Sequence, residues 1–155
     1  MEQTLESVQT NSMQTVYAGF WIRFAAAFID AIILGVVQMI ITYMFFSSIM
    51  MNPDVVTSQS AGSILLYYVV ILVVNWLYSA ALESSSRQGT AGKIALDMKV
   101  TDLSGNRISF AQATGRYFSK FISIIILFIG FIMVAFDSKK QGLHDKIAGT
   151  YVIKK

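Results

Sequence analysis

Residues 17–51 read YAGFWIRFAAAFIDAIILGVVQMIITYMFFSSIMM, and from Phe24 to Met51, 28 residues, Asp30 is the only ionised side chain. At 1.5 Å per residue those 28 residues make about 42 Å of helix, more than the roughly 30 Å of hydrocarbon in a bilayer. The stretch is therefore predicted to be a transmembrane helix, tilted or protruding at one end. Arg23 stands at its entrance and Asp30 seven residues further in, nearly two turns, which sets both on one face about 10 Å apart. A carboxylate inside lipid costs at least ~2.5–3.5 kcal/mol, so it faces protein or water. Gln38 and Thr42 share that face, and so do the small residues Ala27, Ala31 and Gly35. Small residues let a neighbouring backbone approach, so this face is expected to pack against protein and not lipid. Three roles stay open for Arg23 and Asp30: holding helices together, taking part in the movement of an ion or solute, or regulation and partner docking.

Composition fits that start. The chain has 155 residues, room for one domain, and is 55% hydrophobic and 14% charged. Soluble domains are about 25% charged, so an ordinary soluble fold is excluded. A net charge of +3 is too small to mark a nucleic-acid binder. With no cysteine there is no disulfide, thiolate nucleophile or cysteine metal site. Residues 1–16 are polar, with Glu2 and Glu6 and no basic residue, and lack the basic start and apolar core of a secretory signal. They read as a short tail before an uncleaved first helix, which Phe20 and Trp21 anchor at the interface.

Asn52-Pro53-Asp54 stops the first helix, and a second apolar run, Ile64 to Leu82, spans 19 residues or about 29 Å. Asn75 lies inside it as an expected interhelical hydrogen-bonding residue or part of a polar path, and Glu83 lies at its exit. Residues 84–120 then change character. Lys99 to Asp102 and Arg107 to Phe110 flank Leu103-Ser104-Gly105-Asn106, the pattern of a β-hairpin with a glycine turn. From Phe110, aromatic residues gather near one helical face and Gln112, Arg116 and Lys120 lie mostly opposite, the pattern of an interfacial helix entering the membrane. Gly89-Thr90-Ala91-Gly92-Lys93 lacks the spacing of a phosphate loop and reads as a tight turn at the membrane surface. The third apolar run, Phe121 to Phe136, has only 16 residues and contains Gly130. A basic tail follows, with a short strand over 150–153.

Lysine and arginine are distributed as one in residues 1–23, none in 52–63, six in 84–120 and five in 137–155. The basic segments belong in the cytoplasm, which sets the N-terminus and the hairpin inside and loop 52–63 outside. A full third crossing would export the basic tail, so the reading favours a third segment that dips in and returns, leaving the tail cytoplasmic.

These residues together resemble the RDD family, named for one arginine and two aspartates. Arg23 and Asp30 fit its opening in FWIRFAAAFID. Glu83-Ser84 with Gly89 to Lys93 resembles its ES…TxGK segment, and Lys99-Val100 with Ser104-Gly105 its hairpin. Residues 142–150, GLHDKIAGT, resemble its ending, with Asp145 as the second aspartate. The resemblance covers residues 17–153. It implies a small multi-pass protein of a cell membrane, as in the bacterial cytoplasmic membrane, with transport activity. Some members are similar to sodium/proton antiporters in activity, and others act as accessory partners of membrane proteases or degradation complexes.

The expected fold is an all-α integral membrane protein. It has two clear transmembrane helices (about 20–50 and 62–83), a third short or re-entrant hydrophobic segment (110–136) and a small cytoplasmic β-hairpin, behind the 1–16 tail. The expected site is a polar network of Arg23, Asp30, Asn75, Glu83, Lys93, Arg116, His144 and Asp145. His144 beside Asp145 is the one group that titrates near neutrality. A basic or donor side chain should approach Asp30, with Lys93, Arg116 and His144 as candidates, and Asp145 should pair with a base such as Arg23. No metal-ligand spacing, catalytic set or cofactor motif is visible, so neither an enzyme nor a cofactor is expected. Two functions stand: an ion or solute transporter, with cation/proton exchange among its forms, or a non-catalytic membrane adaptor or regulator whose segment 84–120 docks a partner. The lipid bilayer is a partner in both, with a homo-oligomer or a partner membrane protein and no nucleic acid. An oligomer suits the first, because two or three helices scarcely enclose a channel and no inverted repeat is visible.

Overall fold

The computed structural model describes residues 15–51, 60–126 and 129–155. The expected polar tail lies outside these except for its last two residues, as does the Asn52-Pro53-Asp54 turn. The first apolar run forms α1, Phe20–Met51, and the second forms α2, Ser60–Glu83. Both are long and apolar enough to cross a bilayer, over Phe20–Ser47 and Gly62–Glu83. Phe28, Ile32, Met39, Leu65, Tyr68 and Val69 are exposed along them, the arrangement of helices whose solvent is lipid. Towards their far ends the Thr42 and Tyr67 hydroxyls lie 2.8 Å apart and the Phe45 and Tyr67 rings 5.1 Å apart.

The polar linker after α2 holds a short α3, Ala91–Ala95, and a strand β1, Met98–Asp102. The turn that enters α3 is carried by Gln88, at φ 55°, and not by Gly89 beside it or by Gly92 within α3. Gly92 serves a different end. A Cβ there would collide with the Ala26 carbonyl oxygen, so only glycine lets α3 lie against α1.

The third apolar run is not one helix. Ser109 caps α4, Phe110–Ile125, with a reciprocal Ser109–Gln112 capping box, and α5, Ile129–Phe136, leaves it at 101°. Gly130 makes this packing possible, because a Cβ there would press on the Ser123 side chain. Arg116, in the second turn of α4, contacts the C-terminal strand, and the Lys140 carbonyl just beyond α5 accepts from Arg23 at the start of α1. Entry and exit of the bent pair therefore lie at one end of the molecule, as a re-entrant segment requires. The two faces expected of α4 are present. Arg116 is only 2% exposed while Phe110, Phe118 and Phe121 are each more than 40% exposed. Its polar face points inward and its aromatic face outward, the reverse of a helix on a soluble core.

The tail forms α6, Leu143–Ile147, and β2, Thr150–Lys154. The expected hairpin is also corrected. β1 pairs antiparallel with β2, Met98 opposite Lys154 and Asp102 opposite Thr150, and not with Arg107 to Phe110. The glycine turn does form, with Gly105 at φ 85° and a single bridge between Thr101 and Arg107. Ser109 is needed to cap α4, and that ends the second arm before it becomes a strand. The N-terminal approach joins β2 from its other side: the Ala18 amide donates to the Val152 carbonyl at 2.9 Å and the Lys154 amide to the Val16 carbonyl at 2.9 Å. Ala18, Ala26, Ala80, Met98, Val100, Ile108, Ala113 and Val152 form the core. It lies at the end of the helices where the sheet is, and the start of α1 and the tail lie on that same side.

Candidate functional site

Against this core sits a network of charges. Arg23, one turn into α1, uses all three of its nitrogens: Nε donates to the Ala18 carbonyl at 2.8 Å, Nη2 to the Lys140 carbonyl at 2.5 Å and Nη1 to Asp145 Oδ2 at 2.5 Å. The start of α1 is thereby clamped to the tail. Asp145 Oδ2 also accepts from the Gly142 amide at 3.0 Å, which closes the first turn of α6. Its other oxygen pairs with Arg116 Nη2 at 2.8 Å. Arg116 Nε lies 3.3 Å from Glu83 Oε2, and Nη1 donates to Thr150 at 3.0 Å. Lys93 of α3 pairs with the other oxygen of Glu83. Arg116 thus bridges the two acids, and α1, α2, α3, α4, α6 and β2 all contribute. Each pair is shielded from water, so removing one partner strands a buried charge.

Asp30 belongs to a different set. Its carboxylate accepts from the Tyr78 hydroxyl at 2.7 Å, the Thr90 hydroxyl at 2.6 Å and the Gly92 amide at 2.7 Å. A donor does approach from other segments, as expected, but it is not a base. Lys93 is held by Glu83, and Arg116 and His144 by Asp145; among the described residues none pairs with Asp30. Of the two roles expected of Asn75, the structure lacks the interhelical bond but sets the residue on a cavity wall. Its amide donates to the Ile71 carbonyl of its own helix at 2.7 Å and makes no interhelical bond among the described residues. Tyr78, Thr90 and the Gly92 amide were missed from sequence. A tyrosine in an apolar run gives no sign that its hydroxyl is needed. The TAGK segment did carry a signal, but as a turn and not as the cap on a half-buried acid.

Both sets line one cavity of about 710 Å³ between α1, α2, α4 and α5. Arg23, Asp30, Gln38, Asn75, Lys93, Arg116 and His144 reach it, and so does Lys120, also missed. Phe24, Leu34, Ile124, Ile132 and Val134 supply apolar wall. The small face of α1 was expected to be packed. Instead Ala27, Ala31 and Gly35 are exposed and form one wall of this cavity, with open space where a Gly35 Cβ would stand.

Electrostatics separates the titrating groups. Burial pushes His144 down to about 3, so its imidazole is neutral at physiological pH and is not the near-neutral group the sequence suggested. Burial also lowers Lys93, to about 8, against the attraction of Glu83. Burial raises the Asp145 carboxyl, but the Arg116 and Arg23 guanidiniums outweigh it and hold the group well below the usual carboxylate range. Lys93 is therefore the network member, of those outside the spanning helices, with a proton to exchange near neutral pH. Among the described residues no cluster of three or more metal-ligating side chains occurs.

The chain is similar to known proteins over much of its length. The RDD family profile matches residues 17–149. Protein YxaI of Bacillus subtilis (strain 168) is 41% identical over 148 residues, covering 89% of this chain and 97% of its own. The membrane protein YteJ of the same organism is 29% identical over 168 aligned positions, covering 99% of this chain and 96% of its own. A proline-rich antigen homolog of Mycobacterium tuberculosis (strain CDC 1551 / Oshkosh) is 39% identical over 72 residues, 43% of this chain and 30% of its own. No solved structure matches the chain.

Proposed function

We propose, from the premise that this chain belongs to the RDD family and is a membrane protein, that it is a non-enzymatic carrier of a small solute or ion in a cell membrane. One observation supports this reading: a cavity of about 710 Å³, at the depth of the spanning helices, whose wall mixes charged, amide and apolar side chains. Sites for small ligands have volumes of roughly 300–1,000 Å³, mostly apolar with a few placed polar groups. The Arg23–Asp145–Arg116–Glu83–Lys93 network is the fixed end of this cavity. Lys93, pushed down to about 8, is the group that could couple movement to a proton. The basic segments put the network, the N-terminus and the tail on the cytoplasmic side.

A second reading is favoured by a separate observation. Among the described residues no helix covers Ala27, Ala31 and Gly35, and a spaced small-residue face is what a partner helix packs on. In that reading the protein is an adaptor or regulator of a partner membrane protein or a homo-oligomer, and the cavity is its docking groove.

Purified protein in sealed vesicles separates the two. Sodium, potassium and chloride gradients would be imposed and internal pH and membrane potential followed by dyes. Flux above empty vesicles that is lost in Gly35→Trp, which fills open space without touching the network, supports the carrier. Absence of flux together with a stable membrane-protein complex that Gly35→Trp breaks supports the adaptor.

A further inference from the structure

The charges around the cavity do not balance. Glu83 is met by Lys93 and Arg116, Asp145 by Arg116 and Arg23, and Asp30 by two hydroxyls and an amide. Lys120 also lines the cavity, half-buried, and forms no ion pair among the described residues. Its ammonium rests 5.8 Å from the centroid of the Tyr117 ring. Four basic side chains thus face three carboxylates, and the one in excess stands on the cavity wall. Glu83, the acid whose field reaches Lys120, is already held by Lys93 and Arg116, so a half-buried lysine that forms no ion pair on this wall attracts an anion.

The rest of the wall constrains what that anion is attached to. From Arg23 to Gln38 the cavity follows α1 for 15 residues, about 22 Å, most of the roughly 30 Å hydrocarbon thickness. Along that length Ala27, Ala31 and Gly35 make a shallow trough, faced by Ile124 and Ile132. A small soluble anion would use the Lys120 end and leave this apolar length wetted. A ligand with an anionic head and a long apolar chain uses both.

We propose that the cavity binds an anionic membrane lipid, its phosphate at Lys120 beside the Lys93–Arg116 network and an acyl chain along the Ala27-Ala31-Gly35 trough. This rests on the reading of the cavity as a binding site, but not on transport through it. The source of the ligand is the bilayer itself, because the exposed trough needs no aqueous route.

The test is lipid binding by the full-length protein in a mild detergent, read by native mass spectrometry with phosphatidylglycerol, phosphatidylcholine and inorganic phosphate as probes. Phosphatidylglycerol is expected to be retained over phosphatidylcholine. Lys120→Gln should weaken phosphatidylglycerol binding about fivefold, the effect of one basic residue near an anionic lipid surface, and leave phosphatidylcholine unchanged. Ala31→Phe and Gly35→Leu, which fill the trough, should weaken both lipids while thermal unfolding stays at the wild-type value. Gly35→Leu guards against misfolding of the first, because nothing lies within 4 Å of the position a Gly35 Cβ would take. Equal retention of the two lipids, or an unchanged Lys120→Gln, overturns the proposal. So does displacement of phosphatidylglycerol by millimolar phosphate, which would assign the site to a soluble anion. Specific lipid binding without any flux would leave this inference standing and remove the carrier reading.

Discussion

Asp145→Ala breaks the ion network at its most enclosed acid, and the structure says how the loss divides. The Asp145 side chain is fully buried, Arg116 is 2% exposed and Arg23 is 12% exposed. After the substitution Arg116 still has Glu83, and Arg23 still has the carbonyls of Ala18 and Lys140. The single substitution should therefore cost about 3–5 kcal/mol, the range for stranding one partner of a buried pair. The Arg23–Asp145 term can be isolated. Two unit charges about 4 Å apart at an effective dielectric near 20 interact by about 4 kcal/mol. The two carbonyls left to Arg23 offset about half of that, so a coupling of about 2 kcal/mol is expected, inside the ~0.5–3 kcal/mol found for residues in contact. Chemical unfolding in detergent of Arg23→Gln, Asp145→Ala and the double variant measures it. The pair Asp30→Asn and Asp145→Ala, in separate hydrogen-bonded sets, should be additive to within ~0.5 kcal/mol. Additivity of the Arg23–Asp145 pair to that same margin would refute the clamp between α1 and the tail.

Lys93 should titrate at about 8 in an NMR titration of the dimethylated protein, and Glu83→Gln, which removes its attraction, should move it lower still. Its folded value lies below the ordinary 10.5, so between those pH values the unfolded chain holds the extra proton and this residue makes stability rise with pH. Asp145 acts in the opposite range: with a depressed folded value, its contribution is complete above about pH 4 and is lost as pH falls further, visible as acid unfolding that Asp145→Ala lacks. Gly92→Ala drives a Cβ into the Ala26 carbonyl and should cost about 1–3 kcal/mol by thermal unfolding, whereas Gly35→Ala should stay within about 0.5 kcal/mol. The chain lacks cysteine, so single cysteines at Ser104 and at Lys155 report alone; both should react with an impermeant thiol reagent only after cells are permeabilised. Reaction of one in intact cells and not the other would separate the tail from the linker.

What the sequence made legible follows from what a pattern can encode. Length and hydropathy marked α1 and α2 because a bilayer demands a long apolar run regardless of context. The break in the third run was legible through its 16 residues and Gly130, but its 101° angle depends on the contact between Gly130 and Ser123, which no local pattern shows. Arg23 opposite Asp145 was readable, because a buried acid needs a base and both had to lie at one membrane surface. The partners of Asp30 were not readable, since hydroxyls and a backbone amide solve the same problem as a base and carry no charge to count. The hairpin failed for a related reason. Arg107 to Ser109 have strand-like composition, but β2 arrives from about 50 residues away with a better register, and Ser109 is used as a helix cap.

The division between a tight end and a loose end has a mechanical consequence. Near the sheet, six elements are joined through Arg23, Glu83, Arg116 and Asp145 and through the core beneath them. Beyond Asp30, α1 and α2 meet at Thr42, Phe45 and Tyr67 and otherwise border the cavity. Helices in lipid gain nothing from hydrophobic burial against each other, so contacts of this kind hold them only weakly. Entry of a ligand or a partner helix can therefore spread the two helices about the network as a hinge, without parting a buried ion pair. Substitutions at Arg116 or Asp145 should then lower stability and function together. Those at Ala31, Gly35 or Lys120 should change function while the fold survives.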